Sequence, residues 1–353
     1  MNIESILDTN PFGLKKIKKS IFFDKNFKKI MNFHSSKSTL FKKLSTQLFT
    51  SYNKNSKLNA YPFIPIRLFK EHELKSIGTK DIYRILNSSG TSGSLSKIFL
   101  DKDNSKNQIK VLNRIASEFL GNERLPMLVV DKKNTHSLKT SFSAREAGIS
   151  GFAMFGKDLT YALDEDMNID YGKINIFLKK YKDKKFIIYG FTSIIWEYLV
   201  KKINKKKLSG YLSNALILHG GGWKKLAQEN ISNISFKKKI KEQLNIDNII
   251  NYYGMVEQTG SIFFECVHGF FHTSVFSEII IRDINFSSVE NNKEGMIQLL
   301  SLIPSSYPGN SILTEDLGII IGEDNCKCGR LGKYFLVNGR IADAELRGCS
   351  DAY

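Results

Sequence analysis

The chain has 353 residues, of which 42% are apolar, with 52 Lys and Arg against 35 Asp and Glu. This length predicts one large domain or two ordinary ones, and the apolar fraction is sufficient for a sizeable core, which excludes wholesale disorder. There is no run of roughly 18 apolar residues, no secretory signal pattern at the N-terminus and no disulfide scaffold among four cysteines. We therefore expect a cytoplasmic protein without a membrane span.

The net charge of +17 favours non-specific attraction to polyanions. Only nine of the basic residues are Arg, and the lysines occur in scattered pairs and triplets between apolar residues, as on solvated helix faces. Specific nucleic-acid readers depend on the forked hydrogen bonding of Arg. We expect no specific nucleic-acid site.

In chain order, residues 1–60 have the apolar spacing of Lys-rich amphipathic helices, and two prolines hold residues 61–66 extended. From about residue 80, short apolar runs alternate with helical stretches, which predicts α/β structure with mixed sheets and helical cover. Residues 276–340 have a β-rich pattern. The sequence thus predicts a helical segment at 1–60, an α/β nucleotide- and acyl-binding core at 61–275, a β-rich subdomain at 276–340 and a tail at 341–353.

The most informative motif is residues 88–97, SSGTSGSLSK, with five Ser, one Thr, two Gly and one Lys. Glycines let backbone amides converge on an anion, hydroxyls add donors, and the lysine adds a point charge, which together predict a phosphate-binding loop. The alternative is a flexible Ser/Gly linker, although the segment is short and flanked by structured sequence. The Gly-Lys-Ser/Thr ending of a Walker A loop is missing.

Two further glycine clusters follow strand-like runs. Residues 219–223, HGGGW, indicate close approach of a ligand or another backbone. A similar run forms the oxyanion loop of esterases, but the chain has no Gly-x-Ser-x-Gly nucleophile elbow. Residues 251–260, NYYGMVEQTG, place an aromatic ring, a glycine and a carboxylate together, which can stack a base and hold a hard cation. Alone, this last motif would indicate an ordinary strand-to-loop junction with an exposed Glu.

These motifs, followed by TEDLG at 314–318 and NGR at 338–340, resemble in their order the adenylate-forming superfamily of acyl-CoA synthetases. Within it, residues 60–353 most resemble the acyl-protein synthetase family, the fatty-acid-activating component of bacterial luminescence. The resemblance implies the large N-terminal subdomain of that fold and the reaction R-COO⁻ + ATP → R-CO-AMP + PPi, followed by acyl transfer to a thiol. It also implies ATP and Mg²⁺ as cofactors.

The resemblance carries roles to individual residues. The residues that it assigns to the ATP phosphates are Ser89, Thr91, Ser92 and Lys97, although one extra residue precedes Lys97 compared with the usual spacing. Those assigned to the adenine and acyl-adenylate site are Gly220, Gly221, Gly222 and Tyr253, with the Tyr253 ring stacking on adenine. Glu257 would contact Mg²⁺, Asp316 would bind the ribose hydroxyls, and Arg340 would contact ribose or phosphate. For Asp316 and Arg340 the alternative is a surface salt bridge.

Typical members of the wider superfamily continue beyond the motif that matches Gly339–Arg340, as a mobile lid that carries a catalytic lysine. This sequence stops at Tyr353, so we expect the lid to be absent. Acyl-protein synthetases share the truncation and pass the acyl group to a cysteine near the C-terminus, then to a reductase partner. Cys349 is the candidate, because Arg347 favours the thiolate and Gly348 allows the sulfur to move. The alternative is an ordinary cysteine in a frayed terminus.

The other cysteines raise the question of a metal. Cys266, Cys326 and Cys328 with one of two histidines, His268 or His272, supply a Cys₃His set for structural zinc, and the resemblance to a related ligase group favours His272. The related phenylacetate-CoA ligases carry similar cysteines at matching places. The alternative is unrelated buried thiols and a surface His.

We expect the acyl pocket between residues 141–155, 189–194 and 220–223. The leading hypothesis is an ATP-dependent fatty-acid ligase that forms an acyl thioester on Cys349 for a reductase partner. Two alternatives stay open, namely direct acyl transfer to CoA, a carrier protein or a sugar amine, and a degenerate partner that only binds nucleotide.

Overall fold

The structure is a computed structural model that describes residues 4–49, 57–88, 95–133, 141–142, 144–222 and 231–341. The chain separates into two compact units. Unit 1 comprises residues 1–88, 93–119 and 254–345, and unit 2 comprises residues 89–92, 120–253 and 346–353. The units are therefore interleaved in sequence, whereas the domains expected from the sequence are consecutive segments.

The helices of the described residues are α1 Glu4–Leu7, α2 Lys16–Lys37, α3 Thr39–Leu48, α4 Leu68–Glu71, α5 Lys102–Leu120, α6 Ala144–Phe152, α7 Tyr171–Lys180, α8 Thr192–Ile195 and α9 Asn233–Leu244. The strands are β1 Ile64–Pro65, β2 Arg84–Asn87, β3 Lys97–Leu100, β4 Leu125–Val129, β5 Ser141–Phe142, β6 Gly156–Tyr161, β7 Phe186–Phe191, β8 Ala215–Gly220, β9 Asn248–Gly254, β10 Ile262–Phe264, β11 Phe271–His272, β12 Ser277–Arg282, β13 Gly295–Ser301, β14 Ser311–Glu323 and β15 Lys333–Arg340. A π-helix, Trp196–Lys202, follows α8. No helix in the described part of the chain combines the length and hydrophobicity that a bilayer span requires.

The N-terminal helices of unit 1 form as the apolar spacing predicts. Helix α2 buries Phe23, Phe27 and Ile30 along one face, and the Ser38 side chain caps α3 by accepting a hydrogen bond from the Phe41 amide. Lys19 of α2 is also fully buried, and its ammonium donates to Thr273 Oγ1 at 2.8 Å and lies 3.5 Å from Glu278 Oε2. Burial lowers the pKa of Lys19, and Glu278 opposes that shift. Helix α2 is thus fixed to the sheet of unit 1 by a polar contact as well as by apolar packing.

The main sheet of unit 1 is antiparallel. Its strand order is β11-β15-β14-β13-β12, and β1 adds to β14 in parallel. The β-rich pattern predicted for residues 276–340 includes a 13-residue strand, β14. The TEDLG motif therefore lies within a strand, and β15 carries the NGR motif beside it.

A parallel sheet forms the centre of unit 2, with the order β9-β8-β7-β4-β6. Both faces are apolar, as expected for parallel strands with helical cover, and α7, α8 and α9 contribute buried residues to the same core. The strands predicted from short apolar runs are all present. Because parallel strands end at one edge, the residues that follow β4, β7, β8 and β9 share the carboxyl edge of the sheet.

Candidate functional site

The predicted phosphate loop begins and ends on the β2–β3 hairpin of unit 1. The Ser88 amide donates to the Ser96 carbonyl at 3.0 Å, and the Ser96 amide donates to Ser88 Oγ at 2.9 Å. Two reciprocal bonds therefore close the base of the loop. Lys97 is the exposed first residue of β3, opposite Asn87. The other phosphate-binding candidates, Ser89, Thr91 and Ser92, lie outside the described residues.

Glu257 lies beside this base. It belongs to a 3₁₀ turn, Val256–Gln258, and only 2% of its surface is exposed. Ser96 Oγ donates to Glu257 Oε1 at 2.8 Å. The side chain of the neighbouring Gln258 holds the turn, because its Nε2 donates to the carbonyls of Leu299 and Gly309 at 3.2 and 2.9 Å. The expectation of an exposed glutamate for an isolated motif is wrong, because the carboxylate is buried at the foot of the loop.

Asp316 and Arg340 lie opposite each other on β14 and β15. Arg340 Nε donates to Asp316 Oδ1 at 3.1 Å, and Arg340 Nη2 donates to Glu315 Oε2 at 3.0 Å. The Arg67 guanidinium binds the other Glu315 oxygen. The salt bridge that the sequence offered as an alternative is therefore present. It is partly buried, since only 19% of the Asp316 side chain and 25% of the Arg340 side chain are exposed.

Unit 2 contains the second glycine cluster at the end of β8. A Cβ atom on Gly220 would lie 2.5 Å from the Tyr252 ring, and one on Gly221 would lie 2.7 Å from the Phe191 ring. Gly221 also has φ +86°, which favours glycine. Gly222 is exposed, and Tyr253, next to Tyr252 on β9, is half-buried. Glycine is required here because aromatic rings pack directly against the backbone.

Described residues from all three segments predicted to form the acyl pocket lie at the same edge of unit 2. The Phe152 ring centroid lies 4.6 Å from that of Tyr252 and 5.1 Å from that of Tyr189, and the two tyrosine hydroxyls are 3.0 Å apart. A Cβ atom on Gly148 of α6 would lie 3.0 Å from the Tyr189 hydroxyl and 3.1 Å from Phe191. Aromatic side chains therefore form the inner wall between α6 and the strand ends.

A buried ion pair fixes the start of helix α6. Arg145 donates through Nε to Asp131 Oδ2 at 2.6 Å and through Nη2 to Asp131 Oδ1. The two side chains are 9% and 5% exposed. Asp131 lies two residues beyond the end of β4, so this forked pair holds α6 against the carboxyl edge of the sheet. A surface groove of about 350 Å³ between β6 and α7 contains none of the residues predicted for the site.

The four predicted zinc ligands converge in unit 1. Their ligand atoms in Cys266, His272, Cys326 and Cys328 all lie within 4.8 Å of one another. The Sγ atoms of Cys266 and Cys326 are 3.9 Å apart, and Cys328 Sγ is 3.3 Å from His272 Nε2. Tetrahedral zinc with Zn–S bonds of about 2.3 Å places two sulfurs about 3.8 Å apart, so the cluster fits that ion. The alternative of a surface histidine is wrong, because His272 is fully buried.

The environment of the cluster shifts its titratable groups. Burial, followed by the positive charges of Arg330 and Lys19, lowers the pKa of His272 to about 4, so the ring is neutral. Burial raises the pKa of Cys326 to about 12. Burial also acts on Cys328, but hydrogen bonds from the Arg330 backbone and from neighbouring thiols outweigh it and lower its pKa. His272 Nδ1 is buried and has no hydrogen-bond partner among the described residues.

Several residues around these sites were missed by sequence reasoning. Ser96, Glu315 and Tyr252 each lie inside a motif that the sequence indicated, at residues 88–97, 314–318 and 251–260. Membership of these motifs was the signal that could have identified them. Arg67 and Asp131 had no such signal, because each pairs with a residue on a different element, Arg67 with Glu315 and Asp131 with Arg145.

The fold is that of adenylate-forming ligases. Two structures of 2-hydroxyisobutyryl-CoA ligase with 2-HIB-AMP and CoA match it. The open conformation has a TM-score of 0.71 at 14% identity, covering 95% of this chain and 77% of that chain. The thioesterification state has a TM-score of 0.72 at 15% identity, covering 95% and 70%. These matches confirm the predicted fold class.

A family model described as "Acyl-protein synthetase, LuxE" matches residues 2–353, and the chain belongs to that family. A relative from Aliivibrio fischeri, a long-chain-fatty-acid–luciferin-component ligase, is 23% identical over 311 residues, which is 84% of this chain and 79% of the relative. The family confirms the predicted enzyme class, an ATP-dependent acyl ligase that activates a carboxylic acid to acyl-AMP and transfers the acyl group.

Proposed function

We propose that this protein activates a fatty acid with ATP and passes the acyl group through Cys349 to a partner protein such as an acyl reductase. The observation that carries the adenylation site is the bond between Ser96 and the buried Glu257 at the base of the Ser/Gly loop. Carboxylate oxygen is the ligand type that Mg²⁺ prefers, so Glu257 fits a Mg²⁺ ligand.

In the first step, the fatty-acid carboxylate attacks the α-phosphorus of ATP, and the bond from that phosphorus to the bridging oxygen of pyrophosphate breaks. Ser89, Thr91, Ser92 and Lys97 would hold the phosphates, with Mg²⁺ supplying positive charge when bound at Glu257. Asp316 would accept hydrogen bonds from the ribose hydroxyls. Arg340, which is held by Glu315, would orient the Asp316 carboxylate. The step depends on positioning and charge stabilisation.

In unit 2, we assign adenine and the acyl group to the carboxyl edge of the parallel sheet. The backbone of Gly220–Gly222 lies at the carboxyl edge of a parallel sheet, where α/β folds bind ligands. Tyr253 would stack on adenine. The aromatic wall of Phe152, Tyr189 and Tyr252 would contact the acyl chain. A wall of this kind would also exclude water from the reacting carboxylate.

In the second step, the Cys349 thiolate attacks the acyl carbonyl, a thioester forms and AMP leaves. Cys349 lies outside the described residues, so this assignment depends on the family resemblance. Direct acyl transfer to CoA, a carrier protein or a sugar amine remains the alternative acceptor chemistry.

Exchange of labelled pyrophosphate into ATP, measured against a series of fatty acids of increasing chain length, tests the first step. Exchange that depends on a fatty acid is expected; its absence with every acid would contradict adenylation. Protein incubated with labelled fatty acid and ATP should retain label after denaturation. Cys349→Ser should abolish retention while exchange persists, and label that survives this change would show a different acceptor.

We also propose structural zinc at the Cys266, His272, Cys326 and Cys328 cluster. Four protein ligands fill a tetrahedral site, so the ion would stabilise the turn that carries Cys326 and Cys328 without touching substrate. Metal analysis of purified protein should find about one zinc per chain. Cys326→Ser should lose it, whereas Cys349→Ser is the matched control that should keep it. Metal-free wild-type protein of unchanged thermal stability would contradict the site.

A further inference from the structure

A buried hydroxyl group lies next to the glycine turn of unit 2. Thr192, the first residue of α8, is fully buried, and its Oγ1 donates to the Gly220 carbonyl at 3.1 Å. The same Oγ1 lies 2.9 Å from His219 Nδ1. One hydroxyl therefore bridges the end of β8 and the side chain that immediately precedes the glycines.

The chemistry of the three groups fixes the direction of both hydrogen bonds. A carbonyl oxygen can only accept, so the bond to Gly220 uses the single hydroxyl proton of Thr192. The hydroxyl oxygen must then accept from His219, which places the histidine proton on Nδ1. Burial lowers the pKa of His219 to about 3, so the ring is neutral and has one proton to give. His219 thus orients the hydroxyl, and the hydroxyl holds the Gly220 peptide.

The same turn is packed from two sides by rings. The Tyr252 ring lies against Gly220, and the Phe191 ring lies against Gly221, each closer than a Cβ atom would allow. Gly221 has φ +86°, a conformation that turns the chain sharply after β8. Ring packing limits the position of this backbone, and the hydrogen bond from Thr192 also constrains the rotation of the Gly220 peptide plane. The Gly220 carbonyl and the Gly221 amide belong to that one peptide group.

We propose that Thr192 is a positioning residue for acyl activation, and that His219 acts through it. Its hydroxyl fixes the peptide between Gly220 and Gly221, and this peptide presents the Gly221 and Gly222 backbone to the acyl-adenylate. The inference rests on the role proposed above for these glycines. Preorganised backbone groups stabilise developing charge without reorganisation, so a turn that rotates freely would lower the rate.

The test compares Thr192→Val, which keeps the branched shape and removes the hydroxyl, with Thr192→Ser, which keeps the hydroxyl. Thr160→Val is the matched control in unit 2, because the Thr160 hydroxyl makes only a long local contact of 3.4 Å to the Asp158 carbonyl. Two readouts are measured: hydrogen–deuterium exchange of the Gly220–Gly222 amides, and kcat and KM of fatty-acid-dependent pyrophosphate exchange.

We expect Thr192→Val to speed amide exchange in the turn and to lower kcat about tenfold, the size of one lost hydrogen bond. Thr192→Ser and Thr160→Val should stay within about twofold of wild type. Should the valine variant fail to fold, Thr192→Ala against Thr192→Ser makes the same comparison. Nitrogen NMR of the His219 ring should show a neutral imidazole with its proton on Nδ1.

Unchanged amide exchange in Thr192→Val would overturn the positioning role, as would a His219 proton on Nε2. Faster amide exchange with unchanged kcat and KM would show that the turn is held but does not serve the reaction, which also overturns the inference. Failure of the proposed function is a separate result: wild-type protein would then give no pyrophosphate exchange with any acid, while amide exchange would still decide whether Thr192 holds the turn.

Discussion

The two units prepare their candidate site residues in opposite ways. Unit 1 presents charged side chains, each held by a partner: Glu257 by Ser96, and Asp316 by Arg340, which also binds Glu315. Unit 2 presents backbone, because Gly220 and Gly221 have no side chain and aromatic rings pack directly against them. Substitution should therefore act through charge in unit 1 and through shape in unit 2.

The largest expected effect tests the charge of unit 1. Glu257→Gln keeps the size of the side chain and can still accept from Ser96, so the fold should persist. Loss of the negative charge should lower pyrophosphate exchange about a hundredfold or more, as for other groups that stabilise transition-state charge.

Glu290→Gln is the control, because 88% of that side chain is exposed. Thermal unfolding of both variants separates catalysis from stability. Unchanged pyrophosphate exchange in Glu257→Gln would contradict the assignment of Glu257 to Mg²⁺. It would also contradict the expectation that substitutions in unit 1 act through charge.

Shape in unit 2 is tested by Gly221→Ala. The new methyl group meets Phe191 in a left-handed conformation, so we expect a loss of roughly 2–3 kcal/mol in the free energy of unfolding. Gly121 has φ +83° with no atom within 4 Å of a Cβ position, so Gly121→Ala measures the backbone cost alone. Equal losses in denaturant titrations of the two variants would show that ring packing against Gly221 has no energetic weight.

Acid should reveal a buried neutral group in unit 1. His34 Nδ1 lies 2.7 Å from Ser76 Oγ, and Nε2 lies 3.2 Å from the Pro304 carbonyl. Burial lowers its pKa from 6.5 to about 4. The unfolded chain therefore binds a proton at higher pH than the folded chain, and stability is lost as pH falls from 6.5 towards 4.

Between pH 7 and pH 5, His34 should account for about 2 kcal/mol of lost unfolding free energy. His34→Gln should show a correspondingly shallower dependence on pH in denaturant titrations. Parallel curves for the variant and wild type would mean that His34 is not protonated on unfolding.

The smallest effect is expected at the ribose carboxylate. Asp316→Asn keeps the shape of the side chain and weakens its acceptor strength, so ATP affinity should fall about tenfold by calorimetry. Asp103→Asn, at an exposed position of α5, is the control. Unchanged affinity for ATP would leave Asp316 as a partner of Arg340 only.

Local pattern was sufficient for most elements. The apolar run at residues 127–130 lies in β4 with one residue beyond its end, and the runs at 186–189 and 215–218 lie within β7 and β8. Their alternation with helical stretches indicated α/β structure, since periodicity reports which face of each element is buried. The ordered motifs then identified the family, because five short segments in one order carry more information than any of them alone.

Partners that are distant in sequence could not be predicted. Ser96 and Glu257 are 161 positions apart, and Arg67 and Glu315 are 248 apart. Such contacts depend on how strands are ordered and stacked, which no local pattern encodes. For the same reason the motif alone indicated an exposed Glu257, whereas tertiary packing buries it. The Cys₃His cluster was predictable, because three cysteines and a histidine form a common ligand set for structural zinc and a related ligase group has similar cysteines at matching positions.

Two reciprocal hydrogen bonds between Ser88 and Ser96 close the foot of the Ser/Gly loop. They make the pairing of the two hairpin strands independent of the length of the loop. With Ser88 and Ser96 fastened to each other, β3 keeps its pairing with β2 whatever number of residues lies between them. The one additional residue that the family resemblance indicates before Lys97 is therefore expected to leave the two strands in register. Insertions between Ser88 and Ser96 should therefore lengthen the loop while β2 and β3 stay in register.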